Sequence, residues 1–357
     1  MKVPLCDLGA QYRALKPELD AAIARVLESG RYVLGPEVEA LERALAADAG
    51  RAYGVGVSSG SDALLSTLWA LGVGAGDEVI TTALSFFATV GAIARLGARP
   101  VFVDVDPATY AIDLRAARAA IGARTRAVVV VPLFGRPLPL DALAGVAVPI
   151  VIDGAQAIGC PHLGAPATAT TLSFFPTKNL GAIGDGGMVL TDDAALADKL
   201  RTMRQHGSRP KYVHHLVGGN FRLDPLQAAI LLAKRGHLGA WTATRRRNAA
   251  RLRAGLAGTP LTLPVDEPGH VYHHFVVRAP ARDELRAHLA AREVETEIYY
   301  PVPLHRQPCF AALGYAEGSL PVAERACKEV LALPVHAELD AAQLDAAIAA
   351  VRGFYGA

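Results

Sequence analysis

Cysteine is scarce in this 357-residue sequence: the chain has four, and no two of them form a CxxC pair. Such isolated cysteines indicate neither a zinc site nor a disulfide framework. An excess of charge of one sign is also missing, because 36 Lys+Arg against 34 Asp+Glu leave a net charge of +2. This balance argues against a nucleic-acid-binding protein, which usually carries a strongly basic domain or stripe.

Long hydrophobic runs are absent as well. The longest ones, such as residues 127–134, are far shorter than the ~20 residues that span a bilayer. Near the start, Asp7, Gln11 and Arg13 interrupt the chain before the apolar region of an export signal could form. We therefore expect a cytoplasmic protein with no membrane partner.

The composition that is present is that of a folded chain with a parallel sheet. With 52% hydrophobic and 20% charged residues, the sequence is not that of a disordered protein. Short, almost continuously apolar runs alternate with helical stretches at residues 55–59, 79–83, 101–105, 127–132, 149–153, 170–175 and 187–191. Such runs are typical of strands covered on both faces, so the pattern predicts an α/β fold with a mostly parallel central sheet.

The length predicts about two domains. The composition changes after Gly239, which follows a helix predicted to begin at Asp224 and Pro225. We expect a large domain at 1–239 and a small α+β domain at 240–357. The other predicted elements are helices at 17–30, 35–46, 244–256, 282–292, 322–332 and 340–352, and a strand at 270–278. The arginines at 245–247 are expected on a solvated helix face, because consecutive helical residues spread around the helix.

Three segments carry candidate chemistry, and the first is a strand-to-helix turn at residues 58–61. A strand ends at Ser58-Ser59, Gly60 allows a tight turn, and Ser61 is expected to cap the next helix. The free backbone N–H groups and positive end of a helix suit a phosphate. An ordinary strand–helix connection is the alternative, since such caps are common.

The second segment places Asp153 at the carboxyl end of an apolar strand, with Gly154 next and Gln156 three residues on. Open α/β sheets bind their ligands at this end of the strands. A carboxylate there must find a cation or several hydrogen-bond donors, because leaving it unpaired costs several kcal/mol. The alternative is an aspartate that caps the following turn.

The third segment contains Lys178, which follows an apolar run and precedes the glycine-rich GAIGDGG. A surface lysine with a pKa of ~10.4 is neutral in only about one molecule in 2500 at pH 7. Nucleophilic chemistry therefore needs a site that lowers this pKa. Spacing alone also allows an ordinary loop lysine.

One ligand explains all three segments. Pyridoxal 5′-phosphate (PLP) needs a cradle for its phosphate, a carboxylate beside its pyridine nitrogen and a lysine that binds it covalently. The turn at 58–61, Asp153 and Lys178 match these needs.

Beyond this chemistry, the chain resembles the DegT-type (DegT/StrS) nucleotide-sugar aminotransferases, a branch of the fold-type I PLP enzymes. The resemblance extends over nearly the whole chain. Its most specific motif is SFFPTKNLGAIGDGG, which is supported by SGRYVLGPEVEALE, HHLVGGNFRLDPLQAAIL and YPVPLHRQPCF.

The resemblance implies roles for individual residues. Lys178 matches the lysine that binds the cofactor, Asp153 the partner of the pyridine nitrogen and Gln156 the contact of the ring hydroxyl. Further expected cofactor contacts are Gly60, Ser61, Phe86, Ser173 and, reaching the phosphate of the neighbouring subunit, Asn220. The expected substrate contacts are Tyr212, His214, His215, Arg222, Tyr300 and His305. A homodimer with shared active sites follows from the match at Asn220.

The implied reaction is transfer of an amino group to a keto-sugar linked to dTDP or UDP, with the 3-keto sugar favoured and glutamate as donor. The alternatives are a PLP-dependent sugar dehydratase and a catalytically silent regulatory protein of the same fold. Histidines cluster at 214–215 and 270–274. We expect no metal site, because neither group has a nearby set of carboxylates or thiolates, and adjacent strand residues point to opposite faces.

Overall fold

The structure is a computed structural model that describes residues 1–161, 163 and 166–356. Its central sheet has the strands β1 (Tyr53–Val57), β2 (Glu78–Thr82), β3 (Arg99–Val103), β4 (Thr125–Val130), β5 (Ile150–Asp153), β6 (Ala169–Ser173) and β7 (Gly187–Thr191). They are ordered β1-β7-β6-β5-β4-β2-β3. Strand β7 runs antiparallel to both neighbours and the other strands are mutually parallel. The predicted mostly parallel sheet is confirmed.

Helices cover both faces of this sheet. In the first two thirds of the chain they are α1 (Leu8–Ser29), α2 (Pro36–Asp48), α3 (Gly60–Ala70), α4 (Ala88–Arg95), α5 (Leu114–Ala119), α6 (Ala194–Met203) and α7 (Pro225–Arg235). Helix α1 begins earlier than predicted, because the Asp7 side chain accepts a 2.7 Å hydrogen bond from the Ala10 N–H and caps it. Pro17 therefore lies inside this helix and not near its start.

The last third contains a second layer of structure. Its strands β8 (Phe275–Arg278) and β9 (Val330–Leu333) pair antiparallel, and its helices are α8 (Leu238–Gly255), α9 (Arg282–Ala290), α10 (Pro321–Glu329) and α11 (Ala341–Tyr355). Short 3-10 helices occur at Leu133–Gly135, Asp141–Leu143, Leu304–Arg306 and Pro308–Leu313. Val3 packs into the core of this layer and pairs with Val294. The boundary at 240, two residues inside α8, stays a prediction.

Two predicted elements differ in the structure. The strand expected over 270–278 is regular only from Phe275, because the N–H groups of Val271 and His273 donate to the carbonyls of Gly135 and Phe134 in the first of the 3-10 helices. The helix expected over 322–332 ends at Glu329, and the residues after it form β9.

The arginine run at 245–247 was also interpreted wrongly in part. Arg247 is exposed, but Arg245 is 8% exposed and donates hydrogen bonds to the carbonyls of Tyr272 and His273. Arg245 shares the buried face of α8 with Ala249 and Leu252, so one of the three arginines must point inward. Burial lowers the pKa of its guanidinium.

The fold brings the three candidate segments to one place. Ser58, Asp153 and Ser173 stand at or just after the carboxyl ends of β1, β5 and β6, which face the same edge of the sheet. Phe134 from the first two thirds of the chain and Val276 from β8 belong to one shared core, which holds the last third of the chain against this edge. Among the described helices, none has the length and apolar character needed to cross a bilayer.

Candidate active site

A cavity of about 450 Å³ lies at the carboxyl ends of the parallel strands. Its walls come from both layers of the molecule. The predicted residues that line it are Gly60, Ser61, Phe86, Asp153, Gln156, Ser173, Lys178 and Tyr300. The sequence therefore identified residues that are distant along the chain and close in space.

Asp153 is the last residue of β5 and is only 5% exposed. Its Oδ2 accepts a hydrogen bond of 2.7 Å from the hydroxyl of Thr89, and its Oδ1 accepts one of 3.3 Å from the Ala155 N–H. Burial raises the pKa of Asp153, while these two donors favour the charged form. A buried carboxylate with so few donors is suited to a cationic partner such as a protonated pyridine nitrogen.

Lys178 faces the same cavity and is held by a structured loop. Its backbone N–H donates to the carbonyl of Phe175. Gly181 lies farther along this loop, and its carbonyl accepts a 2.8 Å hydrogen bond from the ammonium of Lys234 in α7. Burial lowers the pKa of Lys178 to about 8, and the Asp153 carboxylate works in the opposite direction. Roughly one Lys178 in ten is then neutral at pH 7, far more than for a surface lysine.

The phosphate cradle is built differently from the prediction. Ser59, not Ser61, caps α3, and its hydroxyl accepts a hydrogen bond from the Asp62 N–H. Gly60 is the first residue of the helix and does not have a positive φ. Its role is close packing, because a Cβ at this position would lie 2.6 Å from the Cβ of Ser173. The N-terminus of α3 and the Ser173 side chain therefore lie side by side at the cavity wall, where both could contact one phosphate.

Gln156 connects the first two thirds of the chain to the last third at the cavity wall. Its side-chain oxygen accepts a 2.6 Å hydrogen bond from the Phe134 N–H, and its amide nitrogen donates one of 3.1 Å to the Tyr300 hydroxyl. Burial raises the pKa of Tyr300, so its hydroxyl stays protonated at neutral pH. The ring of Phe86 lies 6.1 Å from that of Tyr300 and is 57% exposed, which leaves its face open to a ligand.

The other predicted site residues do not line this cavity within one chain. Tyr212 is 79% exposed, and the side chains from His214 to Arg222 are exposed or half-buried on the same surface segment as Asn220. His305 is buried elsewhere, with its Nε2 3.0 Å from the Oε1 of Glu324. Their proposed contacts with cofactor or substrate stay predictions.

The structure also adds residues that the sequence patterns did not identify. Thr89 bonds to Asp153. The cavity lining also includes Ser59, His274, Glu297 and Tyr299. The rings of His274 and Tyr299 stack with their centroids 4.0 Å apart. A signal existed for Thr89, because it lies four residues after Ser85 in SFFAT. Within a helix, such spacing would place both hydroxyls on one face. Ser85 lies before α4, but the two hydroxyls are 3.0 Å apart.

The histidines at 270–274 do not lie on a strand, so that part of the argument against a metal was wrong. His273 instead bonds through Nδ1 to the Oδ1 of Asn179 at 3.1 Å. Burial lowers the pKa of both His273 and His274 well below the ordinary value. Across the described ranges, no group of three or more His, Cys, Asp or Glu side chains could hold a metal ion.

The residues present fit PLP. The buried Asp153 carboxylate would accept a hydrogen bond from the protonated pyridine nitrogen, Lys178 has the lowered pKa that covalent binding needs, and the N-terminus of α3 beside Ser173 would hold the phosphate. When bound, PLP supplies a sink for the electrons of the substrate carbon.

Comparisons with known proteins agree with this geometry. A family model described as the DegT/DnrJ/EryC1/StrS aminotransferase family matches residues 13–352. The chain is 48% identical to a "Pleiotropic regulatory protein" of Geobacillus stearothermophilus, covering 99% of both chains. It is 45% identical to a dTDP-3-amino-3,4,6-trideoxy-alpha-D-glucose transaminase of Streptomyces venezuelae, covering 98% of this chain and 96% of the relative.

Solved structures show the same fold. The crystal structure of S. venezuelae DesV in complex with a ketimine intermediate matches with a TM-score of 0.97 and 45% identity, covering 100% of this chain and 99% of that one. The structure of ntda from Bacillus subtilis with the bound cofactor PMP matches with a TM-score of 0.94 and 30% identity, covering 100% and 86%. These matches confirm the predicted fold and cofactor. The chain belongs to the DegT/DnrJ/EryC1/StrS aminotransferase family and is a PLP-dependent aminotransferase.

Proposed function

We propose that this aminotransferase converts a 3-keto-sugar linked to dTDP or UDP into the corresponding amino sugar, with glutamate as the amino donor. The observation that carries the proposal is the meeting of Lys178, Asp153 and Gln156 in one cavity of a chain so similar to a dTDP-sugar transaminase. Lys178 would move a proton between the substrate carbon and the cofactor, and the Asp153 carboxylate would keep the pyridine nitrogen protonated.

The charge of the cavity supports a second subunit at each site. Lys178 is the sole lysine or arginine among the described lining residues, against the carboxylates of Asp153, Asp185 and Glu297. A sugar diphosphate and a dicarboxylic amino acid both need cations or several donors. We infer that a partner subunit supplies them from the exposed segment 211–222, which contains Lys211, Arg222 and the predicted Tyr212, His214, His215 and Asn220.

Exposed apolar side chains favour the same homodimer. Phe86 and Phe175 line the cavity and are 57% and 51% exposed, and Val217 on the segment 211–222 is 75% exposed. Exposed apolar surface beside a site is typical of a surface that a partner covers. In a two-fold dimer each chain would give its segment 211–222 to the other site.

The regulatory name of one relative makes a silent regulatory protein the second candidate. Such a protein has no need for Lys178, Asp153 or Gln156, yet all three are present and converge. A sugar dehydratase of this fold is disfavoured, because the dehydratase branch of the family that this sequence resembles has exchanged the lysine. This chain retains it as Lys178.

A half-reaction screen tests the substrate. The purified enzyme is loaded with the amino group from glutamate, and candidate keto-sugar nucleotides are then added singly. We expect a 3-keto sugar linked to dTDP or UDP to restore the absorbance of the lysine-bound cofactor. Restoration only by a 4-keto isomer would contradict the position of amination, and no loading by glutamate would contradict the donor.

Mixing two inactive variants tests the shared site. A Lys178→Ala chain is paired with a chain carrying a disabling Asn220 substitution. In a shared-site heterodimer one site receives both lesions and the other receives none. Random exchange of equal amounts makes half of the molecules heterodimers, so about a quarter of all sites should be wild-type. With each homodimer shown to be inactive and exchange confirmed by mass, no recovered activity would refute the shared site.

A further inference from the structure

The buried ion pair of Glu42 and Arg204 lies behind the phosphate cradle, outside the cavity. The two residues are 6% and 7% exposed, and a guanidinium N–H of Arg204 donates to the Oε1 of Glu42. Glu42 comes from α2, and Arg204 follows the last residue of α6. Neither residue lines the active-site cavity.

The pair holds both backbone groups of one residue in β1. The Gly56 N–H donates a 2.8 Å hydrogen bond to Oε1 of Glu42, and the Gly56 carbonyl accepts one of 2.8 Å from Arg204. β1 is an edge strand of the sheet, and at Gly56 side chains, rather than a neighbouring strand, supply these two hydrogen bonds. Gly56 is three residues before Ser59, which caps the helix of the cradle. The pair therefore fixes the strand that leads into the cradle.

The backbone of Arg204 continues the connection to a second segment. Its carbonyl accepts the N–H of Phe221 at 3.2 Å, and the carbonyl of Phe221 accepts the N–H of Ser58 at 3.1 Å. Asn220, directly before Phe221, pairs with Gln205. A closed set of hydrogen bonds thus joins Gly56, Ser58, Arg204 and Phe221.

We propose that the Glu42–Arg204 pair is a positioning device for two phosphate-binding segments: the cradle at 58–61 of its own subunit and Asn220, which serves the partner's site. The second half rests on the shared homodimer proposed above. Disturbing the pair should weaken the phosphate contact while leaving the contacts of the pyridine ring in place. Arg204 and Glu42 are positioning residues, since neither reaches the cavity.

The readout is the ratio of the apoprotein's affinity for PLP to its affinity for pyridoxal, which lacks the phosphate. We expect Arg204→Met to lower this ratio tenfold or more. Arg204→Lys should keep the ratio close to that of the wild type. The hydrogen bonds of Arg204 to Glu42 and to the Gly56 carbonyl come from one guanidinium nitrogen, which a lysine ammonium can replace. Arg136→Met, which breaks a half-buried ion pair with Glu267 away from the cradle, is the matched control and should leave the ratio unchanged.

Arg204→Met alone could unfold the protein, so a double variant separates the positioning effect from a loss of folding. Glu42→Leu with Arg204→Met replaces the pair by apolar side chains, which often preserves stability. A lowered ratio in this folded protein supports the positioning role. An unchanged ratio in Arg204→Met and in the double variant, whatever their unfolding temperatures, would overturn it.

Two heterodimers separate the segments, and the absorbance of lysine-bound cofactor reports only the site that keeps Lys178. When a Lys178→Ala chain is paired with an Arg204→Met chain, the site that keeps Lys178 has a disturbed cradle and an intact Asn220 from the partner. When a wild-type chain is paired with a chain carrying both Lys178→Ala and Arg204→Met, the site that keeps Lys178 has an intact cradle and a disturbed Asn220 from the partner. We expect a lowered ratio in both. A normal ratio in the second pair has two readings, which the mixing of Lys178 and Asn220 variants separates. If that mixing restored activity, the Glu42–Arg204 pair has no role in positioning Asn220. If it did not, the shared site itself is wrong.

Discussion

The hydroxyl of Thr89 donates a 2.7 Å hydrogen bond to the Oδ2 of Asp153, and both side chains are buried. This bond joins the first turn of α4 to the end of β5. It favours the charged form of a carboxylate whose pKa is raised by burial. Thr89 is therefore expected to keep Asp153 ionised and oriented for the cofactor.

Replacing Thr89 by valine should lower turnover. The substitution keeps the shape but removes the donor, and a hydrogen bond to a charged group contributes about 1.5–3 kcal/mol. We expect roughly a 10- to 100-fold loss of kcat. Thr89→Ser keeps the hydroxyl and is the matched control. Equal kcat values for the valine and serine variants would show that the bond has no role in the reaction.

Asp153→Asn should fold and bind PLP but lose almost all transamination. The neutral amide cannot hold the proton of the pyridine nitrogen, and breaking a buried charge pair costs roughly 3–5 kcal/mol. Absorbance of the bound cofactor and the unfolding midpoint establish that the variant is intact. Near-normal turnover with intact cofactor would mean that another group faces the ring nitrogen.

The pH dependence of cofactor capture reports on Lys178. Burial lowers its pKa to about 8, so the reactive neutral amine increases as the pH rises through 8 and is nearly complete above 9. The rate of covalent PLP capture by the apoprotein should follow this curve, after division by the rate constant at each pH for the neutral form of a free alkylamine, which removes the titration of PLP itself. Because the Asp153 carboxylate raises the pKa of Lys178, Asp153→Asn should move the midpoint lower. A midpoint near that of an ordinary lysine, or a shift upward, would contradict the assignment.

Gly60→Ala should disturb the phosphate cradle. The new Cβ would lie 2.6 Å from the Cβ of Ser173, and overpacking of this kind typically costs about 1–3 kcal/mol. We expect a lower free energy of unfolding and a larger loss of affinity for PLP than for pyridoxal. Gly74→Ala, where a Cβ meets open space, is the control. If both alanine variants behave alike, the close approach of α3 and β6 is not needed for binding.

The sequence was sufficient to predict the sheet and several of the residues that meet in the cavity. Apolar runs predicted the strands β1 to β7 to within a few residues. Asp153 and Lys178 were identified because a charged group next to a buried strand requires a partner or a ligand. The strand β9 was assigned to a helix because its four apolar residues directly continue α10. A short apolar run does not distinguish the two structures by itself.

Residues that act through others could not be found in the same way. The roles of Thr89 and Arg204 depend on partners 64 and 162 positions away, Asp153 and Glu42. Arg245 looked like part of a solvated run, since only the packing of α8 shows which of three arginines turns inward. The proposed roles of Asn220 and the segment 211–222 depend on a second subunit, so the contacts within one chain do not test them.

The central claim is that Lys178 is the residue that binds PLP covalently. The measurement is borohydride reduction of the cofactor-saturated protein, followed by proteolysis and mass mapping of the peptides. We predict one pyridoxyl group per chain, on the peptide that contains Lys178. A label on a different lysine, or no label in saturated protein, would contradict the account.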